Sequence, residues 1–99
     1  MEVRQMNADY LQAQLLSEYN QQMQQLETYR SLVDYYHTTA LPNAKVIVNN
    51  SSKAYMNGDI SYVEYVQGLD TALGIRLNYI NAVNNHNQAV ITLQYLLNQ

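Results

Sequence analysis

The centre of the chain reads Tyr55-Met56-Asn57-Gly58-Asp59-Ile60-Ser61-Tyr62-Val63-Glu64-Tyr65. Gly58 supplies the left-handed backbone conformation that commonly ends a helix. Ser61 and Glu64 have the spacing of a capping box, in which Glu64 reaches back to the amide of Ser61. Ile60 and Tyr65 occupy the two positions of a hydrophobic staple. Together these signals predict a tight turn between two helices.

The residues before the turn follow a helical pattern, predicting a helix over about residues 3–57. Gln is a good helix former, so the Gln residues between the apolar positions indicate a solvated helical face, with disorder as the alternative. The apolar residues recur at Val3, Met6, Tyr10, Ala13, Leu16, Tyr19, Met23, Leu26, Tyr29 and Val33, and then at Ala44, Ile47, Ser51 and Ala54 or Tyr55.

Pro42 interrupts this first helical pattern. It lacks an amide proton and crowds the preceding turn, so we expect a kink or break near residues 38–43. The β-branched run over residues 46–48 leaves a short strand over residues 45–48 as the competing local prediction.

The residues after the turn predict a second helix over about residues 61–98, with the turn at 57–60. This helix carries two neighbouring apolar stripes, so we expect it to pack against more than one neighbour. The first stripe is close to a heptad repeat and has only Asn87 as a polar member. It consists of Val66, Leu69, Leu73, Leu77, Ile80, Val83, Val90, Leu93 and Leu97, and the second consists of Tyr65, Ala72, Ile75, Tyr79, Ala82, Ala89 and Leu96.

The predicted fold is therefore all-α: a long antiparallel, coiled-coil-like helical hairpin that self-associates into a helical bundle. The length of 99 residues fits a single segment, 1–99. We expect the isolated hairpin to associate, with a dimeric four-helix bundle as the first possibility, because a wide apolar face would otherwise stay wet.

Composition argues against several classes of function. A formal net charge of −3 with five basic residues provides no basic patch, so we expect no nucleic-acid partner. The absence of cysteine excludes disulfides and thiolate metal sites. The longest aliphatic run, residues 46–48, is too short for a signal peptide or a membrane span.

No catalytic or metal-binding motif emerges from the chain. Neither His37 nor His86 is followed by a second His or a carboxylate at i+3 or i+4, which favours ordinary helix positions over a ligand role. The acidic residues Asp59, Glu64 and Asp70 do not share a helix face. No serine lies in a nucleophile motif, and the three glycines form no phosphate-binding loop. We therefore expect a protein that is not an enzyme, with no metal and no cofactor. The ten tyrosines favour a packed seam with solvated hydroxyls over a ligand site.

The turn and second helix resemble the outer membrane efflux protein family, the TolC-like outer membrane factors. The resemblance runs through Ala54-Tyr55-Met56-Asn57-Gly58-Asp59-Ile60-Ser61-Tyr62-Val63-Glu64-Tyr65-Val66-Gln67-Gly68-Leu69-Asp70, through residues 75–90 and to Leu93-Gln94-Tyr95-Leu96. Upstream, Tyr35-Tyr36 followed by Ala40-Leu41-Pro42-Asn43-Ala44 is similar to a segment of the same family. The sequence departs from the family at Gly68, where a larger residue is common, and at Thr71, where Ala is frequent.

The resemblance implies a periplasmic helical hairpin, part of a longer chain at the outer membrane, that forms tunnel wall and adaptor-docking tip for export of metal ions or small toxic compounds. It implies trimers in the full-length family, and a periplasmic adaptor and an inner-membrane pump as partners. The chain is most similar to heavy-metal efflux systems of the resistance-nodulation-division class, where such a segment belongs to an outer membrane protein or to a pump fusion. The implied partner-binding residues are Asn57, Gly58 and Asp59. The alternative is a free-standing coiled-coil interaction or structural module.

Overall fold

A computed structural model describes the backbone of residues 2–98 and the side chains of residues 8–98. Its elements are α1 (Glu2–Tyr35), a π-helical segment (Tyr36–Ala40), α2 (Leu41–Met56) and α3 (Tyr62–Leu97). The first three run on without interruption, and we call them the first arm. The molecule measures 81 × 21 × 15 Å, as two antiparallel helical arms require. The prediction of an all-α fold is confirmed, and no strand forms at 45–48 or elsewhere within residues 2–98.

The two arms pack along a heptad seam. In α3 ten buried or half-buried positions follow each other in steps of three and four residues, which keeps one face of a long helix turned toward its partner. They are Tyr65, Gly68, Ala72, Ile75, Tyr79, Ala82, His86, Ala89, Leu93 and Leu96. This is the second of the two predicted stripes, extended by Gly68, His86 and, from the first stripe, Leu93. Most of the leucine-rich first stripe faces away from the first arm.

Small side chains form the centre of the seam. Five of the six buried residues are alanines, which lets the helix backbones approach closely; the six are Ala40, Ala44, Ala72, Ala82, Ala89 and Leu93. At Gly68 even a methyl group would be crowded, because a Cβ there would clash with the Ser51 hydroxyl and lie 3.1 Å from the Ser51 Cβ. The close packing of α2 on α3 therefore requires a very small residue at position 68.

We expected a kink or a break near residues 38–43, and of these two the break does not occur. Helix continues through Pro42, which lies in the first turn of α2, and the preceding turn widens so that the Leu41 amide donates to the Tyr36 carbonyl, five residues back. This wider turn separates the Pro42 ring from the backbone that an α-turn would bring against it. The Thr38 hydroxyl also donates to the Asp34 carbonyl at 2.7 Å.

The π-helical segment also absorbs an extra residue in the heptad pattern. The inward-facing positions of the first arm step by three and four until three steps of four follow each other, from Tyr36 to Ala40, to Ala44 and to Val48. A π-turn inserts one residue into an α-helix. The seam thus keeps its face across Pro42, at the positions Tyr19, Gln22, Leu26, Tyr29, Val33, Tyr36, Ala40, Ala44, Val48 and Ser51.

This seam corrects the predicted apolar face of α1. Gln22, expected on the solvated face, is half-buried, whereas Met23 is 42% exposed. The heptad spacing from Tyr19 selects position 22 and passes over position 23. Tyr10 and Leu16 are also exposed, at 68% and 61%. The predicted positions Val3 and Met6 lie outside the side chains that the structure describes.

The turn between α2 and α3 closes with two hydrogen bonds of a Schellman motif. The Asp59 amide donates to the Ala54 carbonyl at 2.8 Å and the Gly58 amide to the Tyr55 carbonyl at 3.1 Å. Gly58 has a φ of 79°, the conformation that this motif needs at its glycine.

Ser61 caps α3 as predicted, but the capping box differs in its second bond. The Glu64 amide donates to the Ser61 hydroxyl oxygen at 3.2 Å. The Ser61 hydroxyl in turn donates to the Glu64 carboxylate at 3.4 Å, where the prediction had that carboxylate accept from the Ser61 amide. The start of α3 is therefore fixed by one side chain that accepts and donates.

Candidate interaction surfaces

The three residues predicted to bind a partner form the tip of the hairpin. Asn57, Gly58 and Asp59 are all exposed, and a Cβ built on Gly58 would meet nothing within 4 Å. A partner can therefore approach the backbone at Gly58 directly. The structure brings these residues together because they lie between the end of α2 and the cap of α3.

Tyrosine rings flank this tip. Tyr55 stacks on Tyr65 with ring centroids 4.9 Å apart, and its ring also lies 6.1 Å from that of Tyr62. Tyr55 and Tyr62 are 41% and 64% exposed, so one side of this cluster is open to solvent. Of the ten tyrosines, five are half-buried along the seam and five are exposed, so a packed seam accounts for half of them. The half-buried ones are Tyr19, Tyr29, Tyr36, Tyr65 and Tyr79.

A groove of about 460 Å³ lies between the two arms at the level of the π-helical segment. Its lining is mostly apolar, and the first arm adds His37 and Lys45 while α3 adds Arg76. The lining residues are His37, Leu41, Pro42, Lys45, Arg76, Tyr79 and Ile80. We expected His37 at an ordinary helix position; in the structure it lines an apolar groove together with Lys45 and Arg76.

The groove belongs to a longer surface that we call the groove face. We define it by four groove residues, two from each arm, and by the residues at heptad spacing from them, which share their side of each helix. On the first arm these are Asp9, Ala13, Leu16, Asn20, Met23, Glu27, Arg30, Asp34, His37 and Leu41, and on α3 they are Val66, Leu69, Leu73, Arg76, Ile80, Val83, Asn87 and Val90.

The two flanks of α3 differ strongly in character. On the groove face, Val66, Leu73 and Ile80 are 41%, 53% and 52% exposed. Between residues 64 and 92 the opposite flank contains no large apolar residue; over that stretch it consists of Glu64, Gln67, Thr71, Gly74, Asn78, Asn81, Asn85, Gln88 and Thr92. The groove-face flank of α3 is therefore suited to packing against a further helix, and the opposite flank is suited to contact with water.

The start of α1 extends beyond the end of α3. Inward-facing positions of the first arm begin at Tyr19 and those of α3 end at Leu96, while residues 8–18 are all exposed. We call residues 8–18 the N-terminal extension. It carries Leu11 and Leu16, which are 57% and 61% exposed. This part of α1 therefore offers apolar surface without an intramolecular neighbour.

Within the described part of the chain, no three His, Asp or Glu side chains lie close enough to hold a metal ion. His86 is half-buried in the seam and is not among the residues that line the groove with His37. Among the described helices, none has a stretch long and apolar enough to cross a membrane.

The turn and the apolar α3 residues of the groove face were predicted from the sequence, but their combination with the first arm into one surface was not. The difference between the two flanks of α3 is visible in residues that lie seven apart. One flank has Leu69, Arg76, Val83 and Val90, and the other has Thr71, Asn78, Asn85 and Thr92. Comparisons with protein-family models, curated proteins and solved structures gave no match for the chain.

Proposed function

We propose that this chain is a helical-hairpin segment of a TolC-like outer membrane efflux component, which forms tunnel wall and adaptor-docking tip and performs no catalytic step. The observation that carries the proposal is the outward-facing leucine-rich stripe of α3. A helix in a tunnel wall packs on two sides, and α3 has one seam on the first arm and a second apolar stripe turned away from it. The polar opposite flank suits a surface in contact with water.

The tip supports the second part of the proposal. Asn57, Gly58 and Asp59 are exposed at the end of a long rod, and the missing side chain of Gly58 permits close approach of another backbone. Such a tip suits docking of a periplasmic adaptor that links the tunnel to an inner-membrane pump. The exported compounds would be metal ions or small toxic molecules.

Site-directed cross-linking in cells tests the docking role. The chain lacks cysteine, so a single cysteine can be introduced at Asn57 or at Asp59. The variant protein is then produced in cells together with the adaptor and the pump. We expect both to cross-link to the adaptor, whereas the matched control Gln21→Cys, exposed on α1, should not. Absence of tip adducts, or equal adducts from the control, would reject the tip as the docking site.

A substitution at Gly58 separates docking from turn formation. Asn tolerates the left-handed conformation, so Gly58→Asn should keep the helical content of the chain while adding a side chain at the docking surface. We expect reduced adaptor binding and reduced resistance to exported metals. Unchanged folding, adaptor binding and efflux would leave Gly58 with the turn role alone.

A free-standing coiled-coil interaction module is the second candidate. The capped turn and continuous seam favour it, because both arms meet within residues 19–97 without any further segment. Cell fractionation with an antibody to the hairpin distinguishes the two. A membrane-associated species much larger than 11.4 kDa supports the efflux component, and a free species of that mass supports the module.

A further inference from the structure

The groove face is an apolar surface that the hairpin leaves without a neighbour in the described part of the chain. Leu16 and Met23 on α1 and Leu73 and Ile80 on α3 are each at least 42% exposed and lie on this one side. Charged residues are placed between them. Glu27 and Arg30 lie one helical turn apart near the middle of the first arm, and Arg76 lies on α3.

We propose that the groove face binds the groove face of a second copy of this chain, with the two rods antiparallel and related by a two-fold axis near residues 28 and 29. The dimer uses the α3 stripe on which the proposed tunnel wall also relies, so it describes the association of the isolated hairpin, and failure of the efflux role would leave it unaffected. In this arrangement the first arm of each copy lies on the first arm of the other, and the α3 stretches around residues 80–90 meet about the same axis.

The heptad positions restrict the register to steps of seven residues. In an antiparallel pair each of the two core positions of a helix faces the other type in its partner. One of the allowed registers places Leu16 opposite Leu41 of the second copy and Asn20 opposite His37. The two residue numbers of each such pair add up to the same value, as two-fold symmetry requires. Both copies use the same surface, so the interface is isologous and the dimer is closed.

Charge complementarity selects this register. Glu27 lies opposite Arg30 of the second copy, and the symmetry makes the pair twice, close to the axis. In the parallel alternative the first arm lies on α3 of the other copy, where Glu27 and Arg30 face the amide-rich stretch 84–88. Only the antiparallel register gives both charges a partner of opposite sign.

The register also covers the N-terminal extension. Residues 8–18 of one copy lie along α2 and the first turns of α3 of the other, and Leu16 enters the groove beside Leu41. Each copy thereby buries the apolar surface that its own hairpin leaves exposed.

Paired charge reversals test the contact between Glu27 and Arg30. We expect Glu27→Arg and Arg30→Glu each to weaken the dimer roughly tenfold in sedimentation equilibrium, because each places two like-charged pairs at the axis. A mixture of these two variants should associate as the unchanged chain does, since each then meets its opposite charge in the other. Restoration in the mixture cannot come from a contact within one helix.

Matched controls change the same charges elsewhere. Glu18→Arg lies on the other side of α1, and Lys53→Glu lies in the last turn of α2; both are exposed, and we expect neither to alter association. Circular dichroism at the same concentrations confirms that every variant stays helical. A monomeric unchanged chain, or two reversed variants that fail to associate when mixed, would overturn the proposal.

Spin-label distances test the orientation. Labels on Thr28→Cys, next to the axis, should lie close together. Labels on Met56→Cys at the tip, 83% exposed, should lie about 80 Å apart at about 1.5 Å per residue. A parallel dimer would bring both pairs within roughly 20–30 Å, about two helix diameters. Short distances at position 56 would overturn the antiparallel arrangement.

Discussion

Gly68 and Gly74 occupy the same helix under different packing conditions. A Cβ at Gly68 meets Ser51 of α2, whereas a Cβ at Gly74 meets nothing within 4 Å. Glycine costs about 0.8–1 kcal/mol relative to alanine inside a helix. Gly68, one of the two departures from the TolC-like pattern, therefore has a physical account in the packing of α2 on α3. The structure gives no comparable account of Thr71, which is exposed.

This contrast predicts opposite outcomes for two alanine substitutions. Gly74→Ala should raise the free energy of unfolding by about 0.8–1 kcal/mol through helix propensity alone. Gly68→Ala should gain less or lose stability, because the Ser51 side chain must move. Urea titrations of both variants measure the difference, and an equal gain at both positions would show that Ser51 yields without cost.

Gly58 gives a second prediction at the same scale. Its φ of 79° is unfavourable for residues with a side chain, by roughly 1–2 kcal/mol. Gly58→Ala should therefore lower the free energy of unfolding by about 1 kcal/mol, and Gly58→Asn by less. Thermal melts of the two variants under identical conditions check the order, and a more stable alanine variant would contradict it.

The elements show what the sequence could predict. The turn, the cap at Ser61 and the extent of both helices follow from local chemistry, and the structure places the helix ends at Met56, Tyr62 and Leu97. The choice between the two stripes of α3 could not be predicted in this way. Both stripes are apolar, and only the opposing arm, with its alanines and Ser51, favours the stripe of small residues.

The region around Pro42 shows a second limit. Proline alone indicates an interruption, and the sequence signals do not distinguish a break from a wide turn. The distinction depends on the seam, which contains one extra residue between Tyr36 and Ala44. That count becomes visible only once the inward-facing positions on both sides are known.

Deleting Pro42 should remove the π-turn. The deletion eliminates both the residue without an amide proton and the extra residue of the repeat, so the seam returns to regular steps of three and four. We expect a higher melting temperature and a gain of up to about 3 kcal/mol in the free energy of unfolding.

Pro42→Ala is the matched control for this deletion. It restores the amide but retains the extra residue, so the gain should be smaller. If the substitution stabilises the protein as much as the deletion does, the proline alone causes the wide turn. If the deletion destabilises the protein, the heptad interpretation of this region is wrong.

At the scale of the whole molecule, the hairpin is thin for its length. Its buried residues are five alanines and one leucine, and each buries little apolar area. The larger side chains of the groove face are exposed in the single chain. Stability should therefore rise with protein concentration, because association removes apolar surface from water.

Truncation of the N-terminal extension tests this expectation. A chain lacking residues 1–17 keeps every inward-facing position from Tyr19 onward, so at low concentration it should unfold at the temperature of the full chain. Its dimer should dissociate more readily, by about tenfold or more if Leu16 fills the groove of the second copy. Sedimentation of the two chains in parallel decides the point, and equal dissociation constants would contradict a role for the extension.

The capped turn at Gly58 also determines which contacts between the arms form first during folding. The arms are antiparallel, so the contact between Tyr55 and Tyr65 closes a loop of only a few residues, whereas the contacts of Leu93 close most of the chain. Loop-closure entropy grows with the number of residues enclosed, which favours nucleation at the turn and zippering toward the termini. Weakening the turn should then slow folding, while Leu93→Ala should mainly accelerate unfolding.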